Sequence, residues 1–175
     1  MSDEKTWVYN LAKTKIEKTV QNRCEWLILE RLGLSEIPEE VYTLDWLNEL
    51  IVIDNLLETI PQSIGQLNNL IHLDFFFNKI YSLPPEIGTL TKLRHLNLGC
   101  NQLKMIPDEI GKLTELTHLD LRDNQLAEIP EEFTNFKNLA YLDLRGNPLP
   151  VDQKILNQVR EPAVILSALN QQIEN

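Results

Sequence analysis

The sequence predicts an α/β solenoid: right-handed, with six short parallel strands on a concave face and helical caps at both ends. Three observations carry this. Apolar residues recur with a period of 23. Within each period they alternate as L-x-L, the mark of a strand with one buried side. In five of the six copies an Asn follows the alternation, and in five an apolar-Pro step comes after it. A repeat of this length is one supersecondary unit that cannot bury its own apolar face, so neighbours must stack.

Residues 1–23 come first and read as an N-terminal capping helix. Trp7, Val8, Leu11, Ala12, Ile16 and Val20 form one broad apolar face. That face is expected to cover the end of the first strand.

Residues 24–150 hold six repeats, the last one truncated. Five copies begin at Leu47, Leu70, Leu93, Leu116 and Leu139, each reading L-x-x-L-x-(L/V/F)-x-x-N-x-(L/I), with no insertion between them. An earlier copy starts at Cys24 and carries Leu32 where Asn stands elsewhere. Cys24 fills a core leucine slot and is expected to be an inert hydrophobe. The second half of each unit repeats Ile37-Pro38, Ile60-Pro61, Leu83-Pro84, Ile106-Pro107 and Ile129-Pro130. Proline suits an extended or early-helical return segment on the convex side. Three units add Ile-Gly, at Gly65, Gly88 and Gly111.

Residues 151–175 read as C-terminal capping helices. Asp152 is placed to cap the first, and Pro162 to start the second. Ile165, Leu169 and Ile173 form an i, i+4, i+8 stripe toward the last repeat. The whole of 1–175 is thus expected to be a single domain.

This pattern resembles the leucine-rich-repeat family over residues 24–150. The resemblance implies that Asn55, Asn78, Asn101, Asn124 and Asn147 turn inward as a ladder and hydrogen-bond buried loop backbone. Such loops need partners, because unpaired buried amides are costly. The 23-residue bacterial type fits best. The Gly146-Asn147-Pro148-Leu149-Pro150 step and the helical segment after it look like the end of repeat blocks in cyanobacterial, Roco-related proteins. Those often precede a GTPase domain; here no G-x-x-x-x-G-K-[ST] loop is present, so only the module carries over.

Residues between the inward leucines fall into lanes on the concave face, about 4.8 Å apart from strand to strand. The first lane is Trp26, Glu49, His72, His95, His118, Tyr141, and it holds all three histidines. The second is Ile28, Ile51, Asp74, Asn97, Asp120, Asp143. The third is Glu30, Ile53, Phe76, Gly99, Arg122, Arg145. A fourth is Arg31, Asp54, Phe77, Cys100, Asp123, Gly146.

Each lane has a sharp reading and a bland one. The histidines offer a polar recognition stripe, or repeat wording without a role. Metal binding beside Asp74 and Asp120 is disfavoured, because parallel side chains converge poorly on a tetrahedral ion. Stacked imidazoles are expected to resist joint protonation. Phe76 and Phe77, with Ile51, Ile53 and Ile71, form an apolar patch of the kind that marks partner sites; self-association or local packing are the alternatives. Asp120, Asp143, Arg122 and Arg145 read as a salt-bridge lattice or as forks for a partner carboxylate.

Composition narrows the class. The formal charge is −10, so a nucleic-acid partner is not expected. Residues 1–23 carry a net +2 against −12 for the rest. There is no signal-peptide pattern, and no apolar run reaches the roughly 18 residues a bilayer needs, so no membrane association is expected. Two cysteines, Cys24 and Cys100, make no disulfide framework, which points to the cytoplasm. Delivery by a specialised secretion system would leave no N-terminal mark, so a secreted effector stays open.

No nucleophile has an activating base in reach, with His95 in a different lane from Cys100. No enzyme activity, cofactor or metal is expected. The expected function is a protein-binding scaffold or adaptor that uses the concave face, as a monomer or weak homodimer. The alternatives are a self-associating structural protein using Phe76/Phe77, or a bacterial effector mimicking host repeats.

Overall fold

A computed structural model describes the backbone of residues 2–173 and the side chains of residues 7–171. Six strands form one parallel sheet in sequence order: β1 (Trp26–Ile28), β2 (Glu49–Ile51), β3 (His72–Asp74), β4 (His95–Asn97), β5 (His118–Asp120) and β6 (Tyr141–Asp143). The register is the repeat itself: Trp26, Glu49, His72, His95, His118 and Tyr141 are successive partners. Every strand is three residues long, because only the L-x-L core of each unit alternates.

Five 3-10 helices line the opposite side, at Glu39–Thr43, Gln62–Gln66, Pro85–Thr89, Asp108–Lys112 and Glu131–Asn135. Each follows the proline of the apolar-Pro step, whose fixed φ sets the chain extended just before the turn. The Ile-Gly glycines sit where these turns stack. A Cβ on Gly88 would strike the Glu109 carbonyl oxygen of the next turn, so the backbones can meet only without one.

Between sheet and turns runs one continuous core. The first inward position (Leu27, Leu50, Leu73, Leu96, Leu119, Leu142) and the second (Leu29, Val52, Phe75, Leu98, Leu121, Leu144) are buried throughout. Beneath the sheet edge the asparagines are buried and turned inward. Asn101 Oδ1 accepts from Ile80 N–H (3.0 Å), and its Nδ2 donates to the carbonyls of Phe75 and Leu98. Asn55, Asn78, Asn124 and Asn147 repeat this pattern one unit away.

Helix α1 (Ser2–Gln21) covers the first end, rotated from the expected face. Ala12, Ile16 and Thr19 are buried, while Trp7 and Val20 are exposed. The Thr19 hydroxyl reaches the Trp26 carbonyl of β1, which turns the 12/16/19 row inward and carries Val20 off it. Cys24 is only half-buried rather than a core residue. Its carbonyl accepts from Trp46 Nε1, and Arg23 lies over the Trp46 ring at 4.4 Å, so the helix-to-strand turn is fastened to the second repeat.

At the other end stand α2 (Gln153–Leu156) and α3 (Pro162–Ile173). Asp152 caps α2 by accepting from Lys154 N–H. The Val159 carbonyl bonds Leu142 N–H on the outer edge of β6 (2.8 Å). Ile165 and Leu169 are buried; the Ile173 side chain lies outside the described residues. No described helix is long and apolar enough to cross a membrane.

Candidate functional site

The first lane is a stack of rings. His95 and His118 lie parallel, with centroids 4.5 Å apart and planes 7° from parallel. His72 adjoins His95 at 5.6 Å, and Tyr141 adjoins His118 at 5.9 Å. Parallel pairing at strand spacing brings the rings together without further help. His72 Nδ1 lies 2.9 Å from Glu49 Oε1; a carboxylate only accepts, so Nδ1 carries the proton. Thr117 Oγ1 lies 3.0 Å from both the Arg94 carbonyl and His118 Nδ1. Its one proton goes to the carbonyl, which makes His118 Nδ1–H the donor. Burial, then the charges of His118, His72 and Arg94, hold His95 below the usual imidazole range.

The second lane is the floor. Here the structure corrects the expectation of a presented polar lane: Asp74 and Asp143 are buried, Asp143 completely. The reason is local. Each of the four polar side chains in this lane accepts from the backbone N–H two residues on: Asp74 from Phe76, Asn97 from Gly99, Asp120 from Arg122 and Asp143 from Arg145. These Asx turns steer the chain out of the strand. The signal was in the sequence as an Asp/Asn recurring at 23, but its role depended on where the chain bends.

Electrostatics divides the floor. Burial pushes the Asp74 and Asp120 carboxyls up, against the hydrogen bonds from Phe76 and Arg122 N–H. Asp143 goes the other way. Burial alone would raise it, but two bonds from the Arg145 guanidinium, its N–H and the Tyr141 hydroxyl hold it below the usual carboxylate range. Asp143 and Arg145, both offered as contact residues by the sequence, are therefore spent largely on each other. Rings and floor enclose a shallow groove of about 170 Å³, lined by His72, Asp74, His95, Asn97, His118, Asp120 and Tyr141.

The third lane brings Phe76 and Arg122 together over Gly99, with the guanidinium carbon 5.0 Å from the ring centroid. Phe76 is half-buried as a result. Ile51 and Ile53 beside it are half-buried, Ile71 is exposed, and Trp26 is exposed at the first strand.

The fourth set is a further correction. Arg31, Asp54, Phe77, Cys100 and Asp123 all have positive φ, between 52° and 58°, and Gly146 stands in the same place at 71°. They are left-handed turn residues where the chain leaves the sheet, not a fourth concave lane. Phe77 thereby projects at the rim, 56% exposed, with its ring 6.1 Å from that of Phe76. Arg31 with Asp54, and Cys100 with Asp123, pair along this rim. Burial and then Asp123 push the Cys100 thiol up, away from reactive thiolate. Among the described residues, no group of three or more His, Cys, Asp or Glu is arranged to hold a metal ion.

Comparison with known proteins agrees with this geometry. Residues 91–149 match the family model for the leucine-rich repeat, and residues 68–110 match that for two copies of leucine-rich repeats. No curated protein sequence matches the chain. Among solved structures, a leucine-rich-repeat protein of Leptospira interrogans is 34% identical with a TM-score of 0.59, over 67% of this chain and 36% of its own. The BIR3–SERK2 complex of Arabidopsis thaliana gives 34% identity and 0.59 over 69% and 66%. The ectodomain of the plant receptor kinase GASSHO1, in complex with Casparian strip integrity factor 2, gives 34% and 0.61 over 65% and 14%. The chain thus spans about a third of the bacterial neighbour and a smaller part of that plant receptor.

Proposed function

We propose that this leucine-rich-repeat solenoid is a non-catalytic protein-binding scaffold whose partner docks on the sheet face and its Phe77 rim. One observation carries the reading. Phe77 is a large aromatic held in a left-handed turn, a conformation costly for any residue with a Cβ, and it is exposed. Backbone strain and exposed apolar area both oppose stability, and they coincide where Phe76, Ile51 and Ile53 add further apolar surface. An aromatic anchor beside a polar groove suits partner recognition. The structural neighbours support the class: one receptor ectodomain is in complex with Casparian strip integrity factor 2, and another, a peptide hormone receptor, with RGF2. We further propose a cytoplasmic, bacterial module of the 23-residue type, a monomer or weak homodimer with neither nucleic acid nor membrane as partner, a secreted effector being the alternative.

Affinity capture from the source's own lysate tests this, with wild type, Phe77→Asp and Phe76→Asp/Phe77→Asp as baits. The wild type retains a specific protein that both variants lose. Equal retention by all three removes the Phe77 rim as the site. Light scattering over a range of concentrations checks the competing dimer: growth in mass that Phe77→Asp abolishes assigns the patch to self-association instead.

A further inference from the structure

We propose that the His72–His95–His118 stack is a proton-gated element of this face, which reverses the sign of the groove in mild acid and so makes partner binding pH-dependent. The proposal rests on the reading of the face as a partner site, but its physics is intrinsic to the chain.

The stack is set so that protons cannot be added independently. His95 lies between two imidazoles, at 5.6 and 4.5 Å, with no carboxylate bonded to its ring. His72 has Glu49, and His118 donates to Thr117. The ring nitrogens of His72 and His118 left to receive protons are their Nε2 atoms, since both Nδ1 positions already donate. A second charge on the parallel His95–His118 pair must either wait or part the rings. That opposition falls on His95, which has an imidazole on both sides.

The charged groups facing the stack decide what this does. From β2 comes Glu49, from β3 Asp74, from β5 Asp120 and from β6 Tyr141 and Asp143; Arg94 precedes β4, and Arg122 follows β5. Arg145 cancels Asp143, Arg122 faces Asp120, and Arg94 turns to Glu115. That leaves Glu49 and Asp74 uncompensated while the imidazoles are neutral. Two imidazolium charges only offset those two, so the groove passes to positive only once all three rings, His95 included, are protonated. Independent histidines would take up their protons over one common pH range; repulsion within the stack spreads the uptake into successive steps.

The test needs no partner. Two small nitroxides of opposite charge, 4-trimethylammonium-TEMPO and 4-carboxy-TEMPO, are added separately to labelled protein, and broadening of the Leu96 and Asn97 amides is followed from about pH 7.5 to about pH 5. The cationic probe broadens them more at the upper end and the anionic probe at the lower end. In His72→Gln/His95→Gln/His118→Gln the preference stays cationic throughout. Imidazole titrations in the same samples show the His95 midpoint depressed and rising in His118→Ala. An unchanged probe preference in wild type, the same inversion in the triple variant, or a His95 midpoint indifferent to His118 overturns the proposal. Should the triple variant unfold, the single His95→Gln and His118→Gln variants answer through a smaller inversion. Success here with failed capture leaves the gate standing and the docking site in error; the reverse result sinks the gate alone.

Discussion

The Arg122 guanidinium lies 5.0 Å from the centroid of the Phe76 ring, two strands away, and they meet only because Gly99 stands between them. A Cβ on Gly99 would come to 3.2 Å from both Phe76 and Arg122 and to 3.0 Å from Asp120 Oδ1. Gly99→Val is therefore expected to separate the pair and expose more of Phe76. The contact itself contributes about 0.5–1 kcal/mol at a half-exposed site. A double-mutant cycle with Phe76→Leu and Arg122→Gln, measured by urea unfolding, should return a coupling of that size. In the Gly99→Val background the coupling should vanish.

Asn101→Ala orphans Ile80 N–H and the carbonyls that its Nδ2 reaches. The expected cost is about 1–3 kcal/mol for each buried group left unpaired, so the midpoint of thermal unfolding drops clearly. Asn101→Asp is expected to be worse at neutral pH, because it points a carboxylate at carbonyl oxygens. An unchanged midpoint in both variants would falsify the ladder.

Asp120 and Asp143 occupy one lane with opposite energetics. Asp143→Asn gives up a charge-assisted pair whose carboxylate is buried but whose Arg145 partner is 42% exposed and stays solvated, so it should cost about 1–2 kcal/mol. Asp120→Asn keeps an acceptor for Arg122 N–H and gives up an ion pair of 3.5 Å, so its cost should stay near about 0.5 kcal/mol. Chemical denaturation at neutral pH separates the two.

Acid should act in two windows. His95 has a folded-state pKa below the unfolded value of about 6.5, so the unfolded chain binds its proton first, and stability declines as pH falls below that value. The Asp143 carboxyl is depressed, so its contribution persists above the unfolded value of about 3.9 and is lost as pH falls through the folded value. Asp74 and Asp120, raised by burial, oppose the second loss. His95→Gln should flatten the first window and leave the second. A thermal-melt series across pH checks both.

Phe77→Asn places a residue that tolerates the left-handed region where an aromatic now sits. The expected result is a gain of about 0.5–1 kcal/mol in stability together with loss of partner capture, the trade expected of a strained functional residue. Reduced stability with capture intact would refute the role assigned to it.

The period of 23 was enough to determine the stacking of units and the strand register, and the resemblance to the leucine-rich repeat supplied the asparagine ladder. Strand residues 23 positions apart lie beside one another on neighbouring strands, which is why His72, His95 and His118 could be placed in one lane before any coordinates. Tertiary structure decided the rest. Whether Asp74 and Asp143 serve the backbone or a partner turns on the bend two residues later, and Phe77 faces the rim because that bend is left-handed. Phe76 is half-covered because a gap at Gly99 admits an arginine from two units away. Helix α1 lies outside the period, so only the fit of Thr19 against Trp26 set which side of it faces the core. Spacing specifies neighbours along a lane, whereas backbone dihedrals and close contacts specify how far each side chain reaches and what it spends its polar groups on.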